Sequence, residues 1–177
     1  MAKMILAAGA MLLGMSLSGP EPDAAPAAEA GKEGLHVGSP IPDLSATNEA
    51  GETVKLASFK GQSGVVIFFF PKSFTPGCTA ESCGFRDEHA KYADKGYAIF
   101  GASRDAPEQL AKFKEGYQLF YHLLSDPEGK LAKAFGIPPG ARQTVVIARD
   151  GTLEKLIASV TAKTHPLDLL AELGAKK

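Results

Sequence analysis

Val65-Val66-Ile67-Phe68-Phe69-Phe70-Pro71-Lys72-Ser73-Phe74-Thr75-Pro76-Gly77-Cys78-Thr79-Ala80-Glu81-Ser82-Cys83 is the stretch that decides how this chain is read. Its first six residues are an unbroken apolar run, β-branched then aromatic, which fits a central strand buried on both faces. Pro71 ends the run and a short polar turn follows. From Pro76 to about Lys95 apolar residues return at helical spacing, with Phe85, His89 and Tyr92 on one stripe and Gly96 placed as a C-cap. Thr75 suits the N-cap, and Pro76 suits the first helical position, where its missing N–H costs nothing. Cys78 is therefore expected in the first turn of a helix that begins where a buried strand ends.

The pattern continues downstream. Tyr97–Ser103 reads as a strand, Ala106 to about Glu115 as a helix with Leu110 and Phe113 inward, and Leu123-Leu124 as a short strand. Lys130–Phe135 reads as a short helix and Thr144–Ala148 as an apolar strand; Asp150-Gly151 turns the chain into Leu153–Ile157, and a last helix runs from about Pro166 to Leu173. This order predicts an α/β fold of thioredoxin-like layer structure, a central mixed β-sheet flanked by helices on both faces.

The 177 residues, 45% hydrophobic and 22% charged, suit one domain with a real core and a leader. A net charge of -1 offers no basic footprint for nucleic acid or an anionic membrane. Met1-Ala2-Lys3, then the apolar run Met4 to Leu17, then Ser18-Gly19-Pro20 have the tripartite shape of a signal peptide. The run is shorter than the ~20 apolar residues of a membrane-spanning helix, which favours cleavage over an uncleaved anchor. Cleavage is expected after Ser18, or after Ala30 as the alternative, and no cysteine follows the run to accept a lipid. Residues 19–34, rich in Ala and Pro, read as a flexible linker, and residues 35–177 as the domain. An exported, periplasmic protein with no stable membrane partner is expected.

Cys78 and Cys83 are the only cysteines. A thiolate at a helix mouth feels the positive end of the helix dipole and accepts from free N–H groups, which favours the anion, the nucleophilic form. Gly77 beside it lets the backbone approach closely and leaves room for a small substrate. Cys83, five positions on, falls about 140° around the helix and ~7.5 Å along it, while a disulfide needs Cα atoms within about 6.8 Å. A bond between the two therefore requires the first helical turns to unwind. In an exported protein a structural disulfide is the plainer reading of two cysteines, although closing so short a loop constrains the unfolded chain little. No histidine has finger-like spacing to the cysteines, which argues against zinc.

Pro71, Thr75 and Cys78 match the Pro-x-x-x-Thr-x-x-Cys signature of peroxiredoxins, and the longer run Phe70 to Asp87 resembles their bacterioferritin comigratory protein, or PrxQ, subfamily. The resemblance extends from about Val37 to the C-terminus and includes Arg142-Gln143-Thr144. It implies a thiol peroxidase acting on H2O2 and organic hydroperoxides, with Cys78 as the attacking cysteine that becomes a sulfenic acid. By the same match Thr75 orients the peroxide, Pro71 shields the sulfur from water, and Arg142 stabilises the thiolate and the charge developing on the peroxide. Cys83 matches the resolving cysteine that forms an intrachain disulfide, to be reduced by a thioredoxin-like protein. No metal or organic cofactor is implied, and a monomer is expected.

The chain departs from that pattern at Lys72-Ser73-Phe74, where acidic residues are common, and after Ser103-Arg104-Asp105, where Ala106-Pro107-Glu108-Gln109 lacks the usual histidine. The export leader is also atypical. Arg86 reads equally as support for the pocket or as a structural charge, His89 as a core residue, and His122 and His165 as residues at element edges without a motif. Three other readings compete: an exported thiol–disulfide oxidoreductase, which would use Cys-x-x-Cys; a copper-binding protein, which would use two nearby cysteines and a distant histidine; and a redox-inactive binding module, in which replacing both cysteines would change no activity.

Overall fold

The apolar run at Val65 becomes the spine of the sheet. In a computed structural model, which describes residues 35–174, it forms β3 (Gly64–Phe69), buried throughout. Before it come β1 (Ser45–Asn48), β2 (Thr53–Lys55) and a 3-10 turn over Leu56–Phe59. After it follow α1 (Pro76–Asp94), β4 (Tyr97–Ser103), α2 (Pro107–Gly116), β5 (His122–Ser125), α3 (Lys130–Ala134), β6 (Gln143–Ile147), β7 (Leu153–Ile157) and α4 (His165–Gly174). The expected leader, residues 1–18, and linker, residues 19–34, lie outside the described residues.

The seven strands form one sheet in the order β2-β1-β5-β4-β3-β6-β7. Strands β3, β4 and β5 run parallel to one another, as the intervening helices require, and the remaining pairings are antiparallel. Alternation along β3 supplies both cores. Val66, Phe68 and Phe70 pack with Phe85 and Tyr92 of α1, Leu110 and Phe113 of α2, and Leu169 of α4. Val65, Ile67 and Phe69 pack on the opposite face with Leu131 of α3, Phe135 and Leu153.

The thioredoxin-like, two-faced architecture expected from the sequence is thus present, and each expected helix and strand lies within a residue or two of its expected place. The β1–β2 hairpin was not expected. Its strands are four and three residues long and carry no apolar alternation; side chains hold it instead. Asn48 Oδ1 accepts the backbone N–H groups of Ala50 (3.0 Å) and Glu52 (2.9 Å). Glu49 accepts from the Leu123 N–H (2.8 Å), from His122 Nδ1 (2.9 Å) and from Lys114 Nζ, fastening the turn to β5 and α2. Burial opposes the charge on Glu49, but those bonds prevail and hold its carboxyl below the ordinary value.

Candidate active site

Strand β3 delivers the chain to its C-terminal end, where Phe70 still donates its N–H to the Ala102 carbonyl (3.0 Å), and the turn over residues 71–75 carries it into α1. Pro71 and Lys72 are exposed in this turn; Ser73 is buried, with its N–H donating to Asp105 Oδ2 (2.7 Å). The same Asp105 oxygen accepts from Ser103 Oγ (3.1 Å), and the Asp105 carbonyl accepts from Ser125 Oγ (2.8 Å). Asp105, whose role the sequence did not reveal, therefore ties the turn to the ends of β4 and β5. Phe74 sits at φ 64°, the left-handed region, with its ring half-exposed and edge-on to Phe113 (5.1 Å between centroids). A non-glycine residue held there is strained, and the aromatic contact retains it.

Thr75 occupies the N-cap position in extended conformation, with Pro76 next to it, but its side chain does not cap. The hydroxyl donates to the Lys72 carbonyl instead (3.0 Å). This corrects the expectation of a side-chain cap, and it leaves the N–H groups of the first turn without a side-chain acceptor. Cys78 lies at that end, 1% exposed and unbonded to Cys83, which is half-buried.

Arg142 stands 64 positions away in sequence and reaches Cys78 because β6 pairs with β3 in the register Phe69↔Gln143. That register sets the residue before β6 beside the end of β3. Arg142 Nη2 donates to Cys78 Sγ at 3.1 Å, and Nη1 donates to Glu81 Oε2 in an ion pair. A Cβ at residue 77 would lie 3.2 Å from Arg142 Nη2, so Gly77 makes room for the guanidinium. Glu81 is fully buried, and burial pushes its carboxyl up to about 7 even with Arg142 beside it. Only Oε2 has a partner, so burial is half compensated and the shift is upward. Glu81 was not singled out from the sequence. The available signal was its position one helical turn after Cys78, which places both side chains on one side of α1.

The structure thus brings together Cys78, Arg142 and Glu81, with Thr75 at the helix mouth and Pro71 exposed beyond β3. Cys83 remains five residues along the same helix. Arg86 is structural: it pairs with Asp87 and donates to the Tyr117 carbonyl (2.8 Å) at the end of α2. His89 is half-buried against the Tyr121 ring. His165 stands at an element edge as expected, the first residue of α4, but it is buried there. It is 4% exposed, packs edge-on to Phe85 and shares a hydrogen bond between Nε2 and Thr144 Oγ1 (2.8 Å). Burial lowers it to about 4. A cavity of about 260 Å³ opens on the α3 side near Phe69, Ala102 and Ile137, but neither Cys78, Thr75 nor Arg142 lines it. Among the described residues no three His, Cys, Asp or Glu side chains are grouped to hold a metal ion, so the donor set of a copper site is not assembled there.

A buried cysteine at a helix mouth, faced by an arginine on a thioredoxin-like sheet, defines a thiol-based redox protein. Residues 37–156 match the AhpC/TSA family model. Peroxiredoxin Bcp of Bacillus subtilis is 39% identical over 150 residues, 78% of this chain and 95% of that protein. Chloroplastic Peroxiredoxin Q of Gentiana triflora is 38% identical over 124 residues, 66% of this chain but only 56% of that protein. The crystal structure of peroxidoxin BcpB from Mycobacterium tuberculosis superposes with a TM-score of 0.75 at 32% identity, covering 81% of this chain and 99% of that one. The chain belongs to the AhpC/TSA family and, within it, to the peroxiredoxins of the Bcp and PrxQ type. It is accordingly a thiol-dependent peroxidase, an oxidoreductase that acts on peroxides.

Proposed function

We propose that Cys78 is the peroxidatic nucleophile and Cys83 the resolving thiol, working on H2O2 and organic hydroperoxides. The observation that carries the first role is the 3.1 Å bond from Arg142 Nη2 to Cys78 Sγ at a helix start whose N–H groups have no side-chain cap. The Cys78 thiolate attacks the terminal peroxide oxygen; the S–O bond forms as the O–O bond breaks, and the leaving oxygen departs with a proton as water or an alcohol. Arg142 stabilises the charge that moves onto that oxygen. Thr75 orients the peroxide through its hydroxyl, and Pro71 limits the approach of water.

Cys83 then attacks the sulfenic sulfur, the S–S bond forms, and the hydroxyl leaves as water. A thioredoxin-like dithiol reduces the disulfide by exchange and is itself oxidised. The protein acts as a monomer. Residues 1–18 support export to the periplasm, which N-terminal sequencing of the fractionated protein would check: a start at Gly19 or Gly31 is expected, and an intact Met1 in the cytoplasm would refute it.

A sulfenic-acid probe applied after one equivalent of H2O2 tests the assignment. Labelling should persist in Cys83→Ser and vanish in Cys78→Ser. Equal labelling of both variants and the wild type would overturn it. Mass spectrometry of the oxidised wild type should find a Cys78–Cys83 bond within one chain.

A further inference from the structure

If Cys83 resolves Cys78, α1 must unwind, and its contacts divide it unevenly. From Gly84 onward the helix is fastened on several sides. Gly84 faces Pro166 of α4 so closely that a Cβ there would stand 2.8 Å from Pro166 Cγ. Phe85, fully buried, stacks on Phe68 at 4.4 Å and meets His165 edge-on. Tyr92 donates to the carbonyl of the same Pro166 (2.7 Å), and Arg86 to that of Tyr117 (2.8 Å).

Ahead of Cys83 the holds are fewer. Cys78 and Glu81 both depend on Arg142, and oxidation changes the sulfur that accepts one of those bonds. Thr79 Oγ1, Glu81 Oε1 and Ser82 Oγ are buried without a protein partner, a standing cost that unwinding relieves. At the border, the Ser82 carbonyl accepts from the buried Tyr121 hydroxyl (2.8 Å).

We propose that the packing of Pro166 on Gly84 is the stop for this transition: α1 unwinds from Pro76 to Cys83 and no further. Cys83 stays in place against the fixed half of the helix, and Cys78 is the thiol that travels. Gly84 and Pro166 are then positioning residues for the resolving step. The proposal rests on the Cys78–Cys83 reading above. Five residues of extended chain span roughly 16 Å, ample to bring Cys78 to bonding distance from a fixed Cys83.

Hydrogen–deuterium exchange on the intact protein, reduced and after oxidation by H2O2, reads the boundary directly. Oxidation should remove protection from residues 77–83 and leave residues 85–94 within about twofold of their reduced-state rates. Gly84→Ala, which pushes a Cβ into the proline ring, should extend the loss into 85–94. It should also slow disulfide formation roughly tenfold without changing the rate of sulfenic-acid formation. Adding Pro166→Ala makes room for the new methyl and should restore both the boundary and the resolving rate. A disulfide that forms with protection lost across 85–94 of the wild type overturns the stop alone, as does a Gly84→Ala protein that behaves like wild type. Absence of the intrachain bond overturns the Cys83 reading and the proposal with it.

Discussion

Arg142 serves two acidic partners at once, the Cys78 sulfur through Nη2 and the Glu81 carboxylate through Nη1. A lysine keeps the charge but not the planar fork. Arg142→Lys should therefore lower the stopped-flow rate of peroxide reduction by about 10²-fold, and a loss under threefold would show that charge alone suffices. The two shifted groups near this site give opposite pH dependences. Glu81 titrates at about 7 in the folded state against an ordinary 4.5, so folding takes up a proton between those values and stability falls as pH rises through that window. His165 titrates at about 4 against 6.5, so the unfolded chain takes up a proton that the buried ring refuses, and stability falls as pH drops through that window. The windows overlap with opposite sign. The contributions of these two groups therefore largely cancel between about pH 5 and 6.5, and single variants should unmask them. Relative to wild type, Glu81→Gln should tilt the melting temperature to rise with pH, and His165→Gln should tilt it to fall. Parallel profiles for all three proteins would contradict this account.

At the scale of the element, α1 was legible because its signals are local. Pro76 at the first position, Gly96 past the end and the Phe85–Tyr92 stripe are properties of neighbouring residues, and the helix runs Pro76–Asp94 as they imply. What was not legible is the conformation of the turn that feeds it. Thr75 is a good cap by type, but Phe74 at φ 64° and the Lys72 carbonyl redirect its hydroxyl. That choice depends on the ring contacts of Phe74 with Phe113 and Tyr117 of α2 and its flank, which are distant in sequence. The strain is measurable. Phe74→Ala loses the ring and keeps the left-handed penalty, whereas Phe74→Gly loses both, so the glycine variant should be the more stable of the two by about 1 kcal/mol in urea unfolding. The reverse order would show that residue 74 bears no backbone strain.

Across the whole molecule, the sheet is completed by a hairpin that apolar patterning could not reveal. Its stability is concentrated in one carboxylate: Glu49, 7% exposed at its side chain, joins β1–β2 to His122, Leu123 and Lys114. Glu49→Ala leaves the Leu123 N–H without that acceptor and should lower unfolding free energy by about 1–3 kcal/mol, with the rate of peroxide reduction unchanged because β5 and β4 separate the hairpin from β3 and the site. An unchanged urea midpoint would show that the hairpin is held elsewhere. The order of helices and strands, the place of Cys78 at a helix start and the family signature around it all follow from the local pattern of the chain. Propensity, periodicity and motif spacing act between residues near each other in the chain. That Arg142 meets Cys78 and Glu81, that Asp105 holds the turn, that His165 is buried and that Pro166 presses on Gly84 emerges only in the folded molecule. Those contacts depend on strand register and helix packing, which join residues 21 to 82 positions apart, and no local pattern encodes them.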